Sequence, residues 1–219
     1  MVIHDTEPYG RDLAKDFARR FQSKGGKVVG TLTVRQGATD FQTEANKVVD
    51  LNPDMVFYGG EYPEGGPLTR QLKARGFKGA VMGGDGLYAA DFFKGADDKG
   101  EGTLVTVAGE PVERLDTASQ FVNDYEAVGF KEGYGAYGAQ SFDTANILIQ
   151  VLAKALPNAE NVDAARPQIV KAVGETNGFK GVTGEISFDE YGDIVNQAFT
   201  VYRAKGSDWL PVFSGKFEP

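Results

Sequence analysis

The chain has 219 residues, room for one large domain or for one domain with part of another. Hydrophobic residues make up 41% and charged residues 25%, both ordinary for a globular chain, and a net charge of −8 disfavours nucleic acid as a partner. With no cysteine there is no disulfide, thiol catalysis or thiolate metal site; the single histidine, His4, excludes a histidine-built zinc site; and no apolar run is long enough to span a membrane.

The N-terminal Met1-Val2-Ile3-His4-Asp5 lacks the basic region and apolar core of a signal peptide. Val2-Ile3-His4 reads as a short strand, and Leu13, Ala14, Phe17, Ala18 and Phe21 then recur at helical spacing until Gly25-Gly26 stops them. Residues 28–34 are β-rich. Thr39 and Gln42 have the spacing of a capping box, and Phe41, Ala45, Val48 and Val49 form the apolar face of the helix it would start. Asn52-Pro53 ends that helix, because the residue before proline disfavours helical geometry. Strands follow at 55–58, 80–82 and 103–107, separated by a helix through Leu68 and Leu72 and a shorter one near 89–94. Strands alternating with helices predict crossover connections and a parallel, doubly wound sheet of the α/β class. Their continuous apolar runs predict burial on both faces.

The pattern then changes. Three helices are predicted at about 114–129, 138–156 and 162–175, with no strand among them. The middle one is amphipathic through Phe142, Ala145, Leu148, Ile149 and Leu152, and the sheet that would cover it has no counterpart in the sequence. The chain returns to β structure at 182–188, turns at 189–193, and continues with antiparallel strands at 197–203 and 209–213 around Lys205-Gly206-Ser207. Candidate crossings between lobes lie near 108–113 and 186–196.

Parallel sheets bind ligands beyond the carboxyl ends of their strands. Three loops there combine glycines, an acid and an aromatic: Asp5-Thr6-Glu7-Pro8-Tyr9-Gly10, Gly59-Gly60-Glu61-Tyr62-Pro63-Glu64 and Gly83-Gly84-Asp85-Gly86-Leu87-Tyr88. Glycine lets a ligand approach the backbone, a carboxylate pairs with an ammonium, and a tyrosine offers an apolar wall with a polar tip. The set suits a small molecule with one positive and one apolar end. Plainer readings stay open: Gly-Gly as an ordinary turn, Asp85 as a helix cap, Tyr9 and Tyr62 as rim packing, His4 as structural and Trp209 as a packing anchor. The acid pairs Glu61/Glu64 and Asp97/Asp98 read as solvated. No phosphate loop, dinucleotide fingerprint or nucleophile elbow occurs, and one histidine leaves little for a catalytic triad.

Val2-Ile3-His4-Asp5 with Tyr9-Gly10, Asn52 to Gly60, Tyr62-Pro63-Glu64, Met82 to Gly86, Gly100-Glu101-Gly102 and Gly181 to Gly184 with Phe188-Asp189 carry a resemblance. Together they resemble the leucine/isoleucine/valine-type periplasmic binding proteins, the receptors of branched-chain amino-acid ABC transporters. The resemblance implies a type I periplasmic-binding-protein-like fold of two α/β lobes, with the ligand clamped between them. It assigns 1–108 and 190–219 to the second lobe and 109–189 to a helical remainder of the first, whose sheet is mostly absent. It implies a free amino acid as ligand, the transporter's membrane subunits as partners, a periplasmic or extracytoplasmic location, and neither cofactor, metal nor catalysis. By the same resemblance Asp85 pairs with the ligand's α-ammonium, Tyr9 packs on the ligand, and Tyr62 is a further candidate. Glu61 stands where many relatives place a tyrosine, so the ligand is polar or basic, or Glu61 turns outward. A sensor or regulator of the same fold, binding an amide or aromatic acid, is the alternative.

Overall fold

The computed structural model describes residues 1–217, so the last two residues of the expected 190–219 segment lie outside the described residues. The chain forms two compact units, Met1–Val107 with Thr200–Phe213, and Ala108–Phe199 with Ser214–Pro219.

The first unit is built on β1 (Val2–His4), β2 (Thr31–Thr33), β3 (Met55–Gly59), β4 (Ala80–Gly83) and β5 (Leu104–Ala108), connected through α1 (Pro8–Ser23), α2 (Gln42–Leu51), α3 (Tyr62–Ala74) and α4 (Ala90–Ala96). The β8 (Ala198–Lys205) and β9 (Asp208–Lys216) strands complete a sheet of order β2-β1-β3-β4-β5-β8-β9. The first five strands pair in parallel, with Ile3 opposite both Leu32 and Tyr58, and Val56 opposite Val81. β8 runs against β5, as the bonds Gly102 N to Ala204 O and Gly109 N to Ala198 O require. The predicted burial on both faces holds at the centre: Ile3, Val56, Tyr58 and Val105 are fully buried on one face, and Val2 and Phe57 are buried on the other. Each such side chain contributes roughly 1.5–3 kcal/mol relative to exposure.

Three local expectations change. The strand predicted at 28–34 shortens to Thr31–Thr33, because β2 is an edge strand whose one partner, β1, is itself three residues long. Thr39 and Gln42 make no capping box. The helix begins at Gln42, the Phe41 amide donates to the Gln71 side chain at 2.7 Å, and Asp40 accepts from the Gln42 amide at 3.2 Å. The helix predicted from 114 starts at Ser119, after two 3-10 turns at Val112–Arg114 and Asp116–Ala118. Asn52 does end α2, in left-handed geometry at φ 43°.

The second unit holds α5 (Ser119–Val128), α6 (Gly138–Ala155), α7 (Val162–Gly174) and a hairpin of β6 (Phe179–Gly181) and β7 (Gly184–Ile186). Its small core joins Val112, Ala118, Phe121 and Ala139. The single strand expected over 182–188 is therefore the second arm of a hairpin whose turn is Val182-Thr183. The chain re-enters the first unit at Thr200, later than residue 190. Residues 187–195 are held to the hairpin side by Phe188 N to Thr176 O and Val195 N to Ser187 O.

Candidate functional site

The loops at the carboxyl ends of β1, β3 and β4 meet through glycines. Gly10 in the first turn of α1 lies so close to Gly59 that a side chain on either would strike the other's backbone. This contact seats the start of α1 on the end of β3. Farther along, the ring of Phe17 stacks on Phe57 with centroids 3.7 Å apart. Gly86 likewise touches the next loop: a Cβ there would lie 2.7 Å from the Gly60 carbonyl oxygen and 3.2 Å from the Tyr9 ring.

Tyr9 and Asp85 are brought together by this packing, although 76 residues separate them. The Tyr9 hydroxyl donates to Asp85 Oδ1 at 2.8 Å and accepts from the Gly86 amide at 3.2 Å. Burial, and then the hydrogen bond to Asp85, push the Tyr9 phenol well above its ordinary range, so it stays protonated and remains a donor. Asp85 opens a 3-10 turn, Asp85–Leu87, whose N-cap position is Gly84, while the N-cap of α4 is Ala89. Asp85 is therefore not the N-cap residue of either helix, and its carboxylate meets Tyr9.

Glu61 is the exposed residue that precedes α3, and it acts electrostatically on Tyr9 and Asp5. Tyr62 is half-buried at the first turn of α3; its electrostatic influence falls on Lys94, and among the described residues no bond joins it to Tyr9 or Asp85. His4 is engaged locally, with Nδ1 2.6 Å from the Asp5 carbonyl oxygen. Trp209 packs among Tyr88, Phe92 and Phe93 and donates to the Ala89 carbonyl at 3.3 Å.

Glu64 corrects an expectation. It is 5% exposed rather than solvated, and its Oε1 accepts from the Gly37 amide at 2.7 Å. Its spacing with Leu68 and Leu72, both buried on the same face of α3, is the sequence signal for this. Asp5 is 2% exposed, accepts from the Glu7 amide at 3.0 Å, and has its carboxyl pushed upward by burial first and by Glu64, Glu7 and Glu61 after it. The Tyr58 hydroxyl is buried without a hydrogen-bond partner, and both it and Asp5 Oδ2 lie where a side chain on Gly60 would collide with them. Among the described residues no group of three or more histidine, cysteine or acidic side chains is arranged to hold a metal ion, and no helix is long and apolar enough to cross a membrane.

Known proteins share this framework. The family model described as periplasmic binding protein matches residues 1–208. The chain is 32% identical over 209 residues to the Leu/Ile/Val-binding protein homolog 1 of Brucella suis, covering 94% of this chain and 54% of that protein. It is 28% identical to the leucine-, isoleucine-, valine-, threonine- and alanine-binding protein of Pseudomonas aeruginosa, covering 92% of this chain and 52% of that one. The crystal structure of a leucine-binding protein, LivK, from Thermotoga maritima superposes with a TM-score of 0.85 at 25% identity, covering 98% of this chain and 60% of that one. The chain thus spans about half the length of the curated relatives it matches. With a parallel sheet of the type I architecture and a family match over nearly its whole length, the chain belongs to the periplasmic binding protein family, on the side similar to its Leu/Ile/Val-binding members.

Proposed function

We propose that this chain forms one wall of the ligand site of an extracytoplasmic amino-acid receptor serving an ABC transporter, and that it performs no chemistry. The observation that carries the reading is the Tyr9–Asp85 contact of 2.8 Å at the carboxyl edge of the sheet. The carboxylate is oriented by a neutral phenol and is placed to accept from an ammonium, while Tyr9, 41% exposed, offers its ring as an apolar wall beside it. The names of the Brucella and Pseudomonas relatives support an amino acid as the ligand. In this reading Met1–Val107 with Thr200–Phe213 is the second lobe of a two-lobed receptor, Ala108–Phe199 is helical structure of the first, and the partners are the transporter's membrane subunits. Asp85 receives the α-ammonium, Tyr9 packs on the side chain, and Glu61 and Tyr62 flank it.

Thermal melting of the chain with each of the common amino acids tests this. A ligand at a hundredfold its dissociation constant adds about 2.7 kcal/mol to stability, so the melting temperature rises by several degrees. Asp85→Ala removes that rise. The sole tryptophan, Trp209, stacked on Tyr88 three residues from Asp85, gives an independent fluorescence readout. If no amino acid moves either signal, the reading fails.

A further inference from the structure

Beside the Tyr9–Asp85 pair lies a group of acids that act on one another and on Tyr9. Asp5 and Glu64 are buried, at 2% and 5% exposure, and Glu61 stands exposed at the rim. Among the described residues none of Asp5, Glu7, Glu61 and Glu64 forms an ion pair. Backbone amides alone donate to the two buried carboxylates, from Glu7 to Asp5 at 3.0 Å and from Gly37 to Glu64 at 2.7 Å. Like charges gathered in a partly dry site repel, and each new one makes the others harder to ionise.

An independent feature points to a guest. Tyr58 is fully buried, yet its hydroxyl has no hydrogen-bond partner. It lies at the Gly60 turn, as does Asp5 Oδ2, so that a side chain on Gly60 would strike both, and Asp5, Glu64 and Glu61 all act on it electrostatically. Buried polar groups in folded proteins almost always find partners. Here the surrounding chemistry is that of a cation site: carboxylates in excess and a hydroxyl free to turn its lone pairs forward. Among the described residues the acids do not converge as a metal requires. An ammonium or guanidinium asks less, since it is held by one or two carboxylates without a fixed coordination sphere.

Asp85 accounts for one positive charge on the ligand, its α-ammonium. Glu61 is left over, on a loop whose Gly60 carbonyl packs against Gly86 in the Asp85 turn. We infer that the ligand carries a second cationic group at the far end of its side chain, which Glu61 receives on the rim, with Asp5, Glu64 and the Tyr58 hydroxyl behind it. The inference rests on the amino-acid reading above and narrows it to basic amino acids.

Arginine and citrulline have nearly the same size and shape but differ by this one charge, so they separate the two claims. The 219-residue chain is titrated with L-arginine, L-citrulline and L-leucine while the amide resonances of Tyr9, Gly60 and Gly86 are followed by NMR. Arginine is expected to bind about tenfold more tightly than citrulline. Glu61→Gln, an exposed substitution that leaves the core untouched, is expected to bring that ratio to within twofold. Equal affinities for arginine and citrulline, or a preference that Glu61→Gln does not reduce, overturn the cationic assignment and leave the amino-acid reading standing. If all three ligands leave these resonances unmoved, both fall.

Discussion

Tyr9 is held by two hydrogen bonds of opposite sense, donating to Asp85 and accepting from the Gly86 amide. Its raised phenol pKa keeps that arrangement intact throughout the physiological range. Asp5 presents the contrary case. Burial raises its carboxyl, so the folded chain holds the proton to a higher pH than the unfolded chain, which ionises near the ordinary value of about 4. Where the folded state binds more protons, stability falls as pH rises. Asp5 therefore favours folding at low pH, and that contribution is lost progressively from about pH 4 upward, through the folded pKa. Asp5→Asn keeps an oxygen for the Glu7 amide and removes the charge. Urea denaturation between about pH 4 and 7 is expected to show a shallower decline in the variant, with higher stability at neutral pH. Parallel curves for the two proteins would show that Asp5 is not the group responsible.

At the scale of the element, the second unit turns on a residue that periodicity did not single out. Asp143 on α6 is 1% exposed and faces the turn of the β6–β7 hairpin. Its Oδ1 accepts from the Val182 amide at 2.8 Å, and its Oδ2 accepts from the Thr183 amide at 2.8 Å and the Thr183 hydroxyl at 2.6 Å. Gly181 makes the approach possible, since any side chain there would collide with the carboxylate. Thr117 secures the same turn from another side, donating to the Val182 carbonyl at 2.7 Å. Asp143→Ala strands two part-buried backbone amides and removes charge-assisted bonds, at a cost of about 3 kcal/mol. The loss is expected as a lower denaturation midpoint of the second unit, with faster hydrogen exchange at the Val182 and Thr183 amides. Unchanged exchange there would mean that water replaces the carboxylate without penalty.

At the scale of the whole molecule, the two units bury their apolar surface unequally. The first has a continuous core through Ile3, Val56, Leu72, Val81 and Val105. The second leaves large side chains open, among them Val128 at 63%, Ile149 at 62% and Val170 at 73% exposure. Exposed apolar area on this scale contributes nothing to folding and weakens local cooperativity. Hydrogen–deuterium exchange is expected to leave β1, β3 and β4 protected longest, while α5, α6 and α7 exchange earlier by one to two orders of magnitude. Equal protection across the units would show that the chain unfolds as a single cooperative block. The placement of Tyr9, Glu61 and Asp85 on the better-buried unit means that the loops carrying them survive local opening of α5, α6 and α7.

The sequence by itself determined the alternation of strands and helices, the parallel sheet, and the three loops that carry Tyr9, Glu61 and Asp85. Those features rest on local periods, on glycine and proline stops, and on the rule that parallel strands present their carboxyl ends on one edge. It also showed the ends of elements where one residue decides, as at Asn52-Pro53. It did not show that Glu64 turns inward, that Tyr58 and Asp5 both come up against Gly60, or that Asp143 clamps a hairpin. Each of those depends on a partner distant in the chain, and an acid on a helix face looks the same whether its neighbour is water or a backbone amide. Only the tertiary structure decided them, because burial and hydrogen bonding are properties of the pair and appear once the sheet has brought both members together.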